Sequence, residues 1–270
     1  MNTVPFKFCD SVISAIDDFE HLPELVSALP DHDLWKAVME DHLSNRREIE
    51  IWFGVDGENN KLEDLRRINK KYLRISSIYW WGDSLSANEF EVLKYVQQFG
   101  QCSYLQMSNT TGNPSSEEIE KFSEYFKDIS LCAFSLYYPN EAFLLHHAKS
   151  HVIKRIELYG NGWSKETQPV IEEILLAIPL ENASIEESFV FGNDFLEKLF
   201  DVPCLTSKGK SFQIYIDIET FNGFCDFRPN LQIEKTVEKV IWQRDDGVQV
   251  LMEQSSYGCT MFEFSKESAL

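Results

Sequence analysis

The chain has 270 residues, 43% of them hydrophobic and 13% aromatic, which is enough for a large buried core and too apolar for a wholly disordered polymer. Its formal net charge of -19 repels phosphate backbones, so the composition argues against nucleic acid and anionic membranes as partners. Six cysteines (Cys9, Cys102, Cys132, Cys204, Cys225 and Cys259) form no CxxC pair, the spacing that a structural zinc site or a redox motif needs.

Residues 1–45 hold no strand pattern. Val12, Ile13, Ile16, Leu22, Leu25, Val26, Leu29, Leu34, Trp35 and Val38 are spaced as the apolar positions of two or three short helices. The opening MNTVPFKFCD lacks an apolar signal region, and no run of 18 apolar residues follows. The expectation is an intracellular protein, cytoplasmic or nuclear, with free buried thiols. The glycosylation sequons at Asn109 and Asn182 are then chance matches.

From residue 46 to 230 short segments with an apolar-x-apolar centre recur. The apolar pairs fall at 49/51, 78/80, 105/107, 134/136, 156/158, 183/185 and 212/214, at steps of 29, 27, 29, 22, 27 and 29 residues. That period and the pattern LxxLxLxxN belong to leucine-rich repeats. Ile153, Ile156, Leu158 and Asn161 fit the pattern fully, and Ile75, Ile78, Trp80 and Asp83 fit it with one change. Helices are predicted between the strands. Ser86 with Glu89 and Ser115 with Glu118 have capping-box spacing, and Phe90, Leu93, Val96, Ile119, Phe122 and Phe126 follow at helical intervals. Thr167 and Pro169 open a helix carrying Ile171, Ile174, Leu175 and Ile178, and Phe195, Leu196, Leu199 and Phe200 mark another.

The reading is an α/β fold: a helical segment over residues 1–45, a leucine-rich-repeat-like α/β solenoid over 46–230, and a C-terminal β-hairpin cap over 231–270. A doubly wound sheet would need strands that are apolar on both faces. Glu50, Tyr79, Gln106, Ser135, Glu157, Ser184 and Gln213 stand between the apolar pairs, so one face of this sheet is expected to meet solvent. In the cap, residues 239–244 and 248–253 flank Asp245-Asp246-Gly247, a hairpin signal. Residues 261–264 offer a third strand that could close the last sheet edge.

Catalytic constellations are absent. Ser207-Lys208-Gly209-Lys210-Ser211 resembles the end of a P-loop, but Cys204 stands where the first glycine belongs. His146, His147 and His151 lie in HHAKSH, which lacks the glutamate of a zinc-protease helix, so solvated or capping positions are expected for them. There is no GxSxG or GxGxxG, and the expectation is a chain that is not an enzyme and uses no cofactor or metal. On the solvent face the next column would be Trp52, Trp81, Ser108, Tyr137, Tyr159, Glu186 and Tyr215. Tryptophan and tyrosine at an exposed surface are the composition of an interface hot spot. Trp52, Tyr79, Trp81, Tyr137, Glu157, Tyr159 and Tyr215 are the candidate partner-binding residues, and the interspersed Glu48, Glu50, Glu157 and Glu186 favour a basic partner.

The blocks MNTVPFKFCDSV at 1–12, LWKAV at 34–38, SNRR at 44–47, LYGNGWS at 158–164 and WQRDDG at 242–247 resemble the large, nematode-expanded family of F-box and F-box-like proteins. The resemblance spans nearly the whole chain. It implies a helical motif that docks on the Skp-family adaptor of a cullin ubiquitin ligase, ahead of repeats that hold a protein substrate. Val4-Pro5 stands where the family has Leu-Pro. Phe8, Val12, Ile13, Ile16 and Leu22 would supply the docking surface, with Trp35 near the family's usual tryptophan.

Overall fold

The computed structural model describes residues 6–14, 22–31, 33–54, 62–81, 85–99, 101–108, 116–127, 129–148, 153–160, 162–177, 180–186, 189–203, 209–254 and 259–266. Val4, Pro5, Ile16, Asp83, Ser115, His151, Asn161, Ile178, Cys204 and Lys208 lie outside them.

Three helices come first: α1 (Phe6–Ser14), α2 (Leu22–Ala28) and α3 (Leu34–Asn45). Asp33 caps α3 by accepting from the Trp35 amide at 2.8 Å. These helices close over a core of their own, made by Cys9, Ile13, Leu22, Val38 and Met39. Ile13 and Leu22, expected on a docking surface, are buried there: amphipathic helices this short hold together only by facing their apolar stripes inward.

Seven strands then alternate with helices. They are β1 (Arg47–Phe53), β2 (Leu73–Trp81), β3 (Gln101–Ser108), β4 (Ser130–Leu136), β5 (Arg155–Leu158), β6 (Asn182–Ile185) and β7 (Lys210–Tyr215). All pair in parallel and in chain order. Between them run α4 (Leu62–Arg67), α5 (Ala87–Gln97), α6 (Ser116–Phe126), α7 (Glu141–Ala148), α8 (Gln168–Leu175) and α9 (Asn193–Phe200), with α10 (Ile218–Phe224) after β7. Their apolar residues and one set of alternating strand residues form a single core that runs from Ile51 to Phe264.

The capping box of α5 is complete, and Glu89 does more than close it. One carboxylate oxygen takes the Ser86 amide and the other takes the Gly54 amide, both at 2.7 Å, tying the end of β1 to the start of α5. Thr167 precedes α8 with Pro169 in the first turn but makes no side-chain cap. Ser164, capping the 3-10 turn before it, accepts from the Glu166 amide at 3.1 Å.

The apolar pairs at 78/80, 105/107, 134/136, 156/158, 183/185 and 212/214 lie in register, as their spacing predicts. The first does not. Ile51 pairs with Ile78 and Phe53 with Trp80, two residues from the predicted pairing: Ile49 pairs with Ile75, and the register then slips by one residue, skipping Ser76. Trp52 therefore stands beside Tyr79 and not beside Trp81. Ile49, Ile51 and Phe53 alternate evenly, so the period of two left the phase open.

After β7 the chain turns antiparallel. β8 (Gln232–Lys235), β9 (Lys239–Gln243), β10 (Val248–Gln254) and β11 (Cys259–Lys266) complete an eleven-stranded mixed sheet, with β11 pairing with both β7 and β10. The 239–254 hairpin turns at Gly247, whose φ of 82° a residue with a side chain adopts only at a cost. These strands extend the sheet. The core passes through them without a break, so residue 231 marks a change of strand direction and no boundary in packing. No helix among the described residues is long and apolar enough to cross a membrane.

Candidate functional site: the open face of the sheet

The helices cover one face of the parallel strands. The opposite face carries the alternate residues, and the register sets them in rows across the strands. One row reads Trp52, Tyr79, Gln106, Ser135, Glu157, Ser184 and Gln213. A second starts with the pair Trp81 and Ser108 and continues past the strand ends through Tyr137, Tyr159 and Glu186.

Two aromatic groups stand on this face. Trp52 stacks on Tyr79 with ring centroids 4.0 Å apart and planes at 18°, Trp81 lies 5.9 Å from Trp52, and Tyr104 lies 6.0 Å from Tyr79. Further along, the Tyr137 and Tyr159 rings are 4.6 Å apart, and Tyr137 is 43% exposed. Gly160 fixes this second pair. Its φ is 81°, and a Cβ there would meet the Tyr137 carbonyl oxygen at 2.6 Å, so only glycine lets the chain pass so close. The Gly160 amide donates to Glu186 Oε2 at 2.9 Å.

A hydrogen-bonded chain fills the space between the two groups. Tyr104 and Ser135 bond through their hydroxyls at 2.7 Å, Ser135 donates to Glu157, and Arg155 donates to Glu157 through Nε at 2.8 Å and through its terminal nitrogen. Glu157, expected as a partner contact, is only 9% exposed. A carboxylate so buried is held by its partners, and here it orders the middle of the face instead of offering a free contact. Burial, and then the charge of Glu157, push the phenols of Tyr104, Tyr137 and Tyr159 above the usual tyrosine range. The bond to Glu157 likewise holds Arg155 above its ordinary value. Tyr215 is half-buried beside Cys259 of β11, away from both aromatic groups.

Two polar atoms of the second row are buried without a hydrogen-bond partner among the described residues: Trp81 Nε1 and Ser108 Oγ, on residues that pair directly across β2 and β3. Each such group costs about 1–3 kcal/mol. The sequence places both residues in one row but carries no signal that their donors are unmatched. It also did not reveal the Tyr104–Ser135–Glu157–Arg155 chain, whose members come from three strands.

A cavity of about 820 Å³ lies at the opposite ends of β2–β4, next to α1. Arg46, Lys70, Lys71 and Arg74 line it with Glu48 and several serines, a basic lining in an acidic chain. Lys71 is the junction between helices and sheet. Its ammonium meets Asp10 at 2.8 Å and Asp41 at 3.1 Å, and Tyr72 donates to Asp41 at 2.6 Å. These bonds, led by that to Asp10, hold the lysine well above its usual range.

Among the N-terminal residues expected to dock a partner, Phe8 and Val12 are 54% and 37% exposed on α1, one helical turn apart. Trp35 is half-buried with its ring edge-on to Phe8 at 6.2 Å. Among the described residues no three histidine, cysteine or acidic side chains gather where a metal would bind. His147, expected at a solvated or capping position, is in the core against Phe143, at 4.3 Å between ring centroids. Cys102 is buried, and burial pushes its thiol up to about 12, which keeps it protonated and unreactive.

Comparison with protein-family models, with curated proteins and with solved structures gives no match to this chain.

Proposed function

We propose that this chain is the substrate-recognition subunit of an SCF-type ubiquitin ligase: a leucine-rich-repeat-like α/β solenoid that holds a protein partner on its open sheet face. Its N-terminal helices form an F-box-like unit that docks a Skp-family adaptor and, through it, a cullin. The chain carries no chemistry of its own, and ubiquitin transfer takes place on its partners. It works inside the cell, in cytoplasm or nucleus.

The observation that carries the protein-binding part is the uncovered aromatic face. The C-terminal strands extend the sheet edge and leave Trp52, Tyr79, Trp81, Tyr137 and Tyr159 at least partly exposed. Large aromatic anchors set among polar residues are the usual energetic centre of a protein interface. The adaptor part rests on the resemblance and on the exposed Phe8 and Val12 of a helical unit with its own core. In favour of a second reading, a free-standing protein-binding module without a ligase, Ile13 and Leu22 already satisfy that core and need no adaptor to cover them.

A pull-down with purified Skp adaptor separates the two. The whole chain is expected to retain the adaptor, the Phe8→Asp/Val12→Asp variant to lose it, and Tyr137→Ala to retain it. No retention by the intact chain would leave the free-standing module.

A further inference from the structure

We propose that the open face takes an extended, positively charged peptide segment of its partner, read at two points. A backbone carbonyl of the segment accepts from both Trp81 Nε1–H and Ser108 Oγ–H. A lysine or arginine side chain further along lies on the Tyr137–Tyr159 pair with Glu186 as its counter-ion. The inference rests on the reading of this face as a protein-binding surface and adds what kind of segment it recognises.

The first point follows from the two unmatched donors. Ser108 is 8% exposed, Trp81 Nε1 is buried, and neither Trp81 Nε1 nor Ser108 Oγ has a hydrogen-bond partner among the described residues. Both belong to the row that faces away from the helices, side by side across a parallel pair. A carbonyl oxygen has two lone pairs and can take both bonds at once. It is also the one acceptor that every peptide segment supplies.

The second point follows from charge and ring geometry. The Tyr137 and Tyr159 rings lie 4.6 Å apart beside Glu186, whose Oε2 is engaged by the Gly160 amide while Oε1 accepts from no described residue. A cation over a tyrosine face next to a carboxylate gains from both. Arg155, whose charge acts on Tyr159, is itself paired with Glu157. The raised phenols of Tyr137 and Tyr159 fit a negative local potential, to which Glu157 contributes after burial.

The spacing suits a short segment. Adjacent strands lie about 4.8 Å apart, so the step from β2–β3 to β5 is roughly 10–14 Å, or about three to four extended residues.

The test is selection of a phage-displayed random dodecapeptide library on the whole chain, followed by titration of an enriched peptide against variants. Enriched peptides are expected to carry lysine or arginine, and replacing that residue by glutamine should weaken binding roughly tenfold. Glu186→Gln keeps the bond to Gly160 but removes the charge, and it should weaken binding by a similar factor and flatten its salt dependence. Ser108→Ala and Trp81→Phe should each weaken binding at least about threefold. Enriched peptides without a cation, weakened by Tyr137→Ala but not by Glu186→Gln, would overturn the basic segment and leave the face as an interface. No enrichment, or binding indifferent to every substitution on this face, would overturn the face reading as well.

Discussion

The N-terminal helices and the sheet bury apolar surface on different scales. Among the described residues, α1–α3 close over five buried hydrophobic side chains, one of them a cysteine. The sheet and its helices share one core in which Trp80, Phe126, Phe134, Phe143, Phe200, Phe212 and Trp242 are all nearly or fully inaccessible. The helical unit meets the sheet through charge: Asp10, Asp41, Lys71 and Tyr72, with the His42 ring edge-on to Tyr72 at 5.4 Å. The difference teaches that the two regions are held by different physics. The sheet is stable through packing, whereas the helices sit on it as a small unit with a polar seam.

The largest effect comes from the large core. Phe134→Ala removes a ring packed edge-on to Phe143 at 5.4 Å and should lower stability by about 3–5 kcal/mol in urea titration. Leu22→Ala should instead melt α1–α3 and leave the main unfolding transition in place. A common loss in both would mean that the two cores unfold as one.

His147 sharpens the comparison with pH. Burial, followed by the neighbouring His146, depresses its pKa from 6.5 to about 4. The unfolded chain therefore takes up a proton below about 6.5 that the folded chain refuses down to about 4. The stability this histidine contributes is full above pH 6.5 and is lost as pH falls through that window, by about 3 kcal/mol in all. His147→Phe should remove this part of the acid sensitivity, measured as unfolding free energy between pH 7 and 4.

At the seam, Lys71→Met breaks the bonds to Asp10 and Asp41 and should cost about 1 kcal/mol. High salt should weaken the wild-type seam in the same direction, read by proteolysis between α3 and β1. On the open face the effect should be smallest. Tyr137→Ala should change stability by no more than about 0.5 kcal/mol in thermal melts, since that ring is largely exposed and outside the buried core.

Much of the sheet was legible because a strand buried on one face shows its register in the sequence. The pairs from Ile78/Trp80 to Phe212/Ile214 could be aligned by spacing alone. β1 could not, since Ile49, Ile51 and Phe53 allow two phases and the bulge that chooses between them is a tertiary event. β8 escaped notice because Ile233 is exposed and its strand has no buried face to write an alternation. α7 was obscured because His147 reads as polar but packs as an aromatic ring in the core. At the site, the aromatic residues were visible and their grouping was not. Trp52 joined Tyr79 through the shifted register, Ile13 and Leu22 turned inward, and Glu157 proved to be a buried anchor. Hydrogen bonds between strands far apart in the chain leave no local trace.

The most direct test of the division between helices and sheet is hydrogen exchange of the whole chain with and without purified Skp adaptor. The account predicts added protection in α1, around Phe8 and Val12, and unchanged exchange across β2–β5, where the face stays open for its own partner. Protection on the sheet, or none anywhere at saturating adaptor, would contradict it.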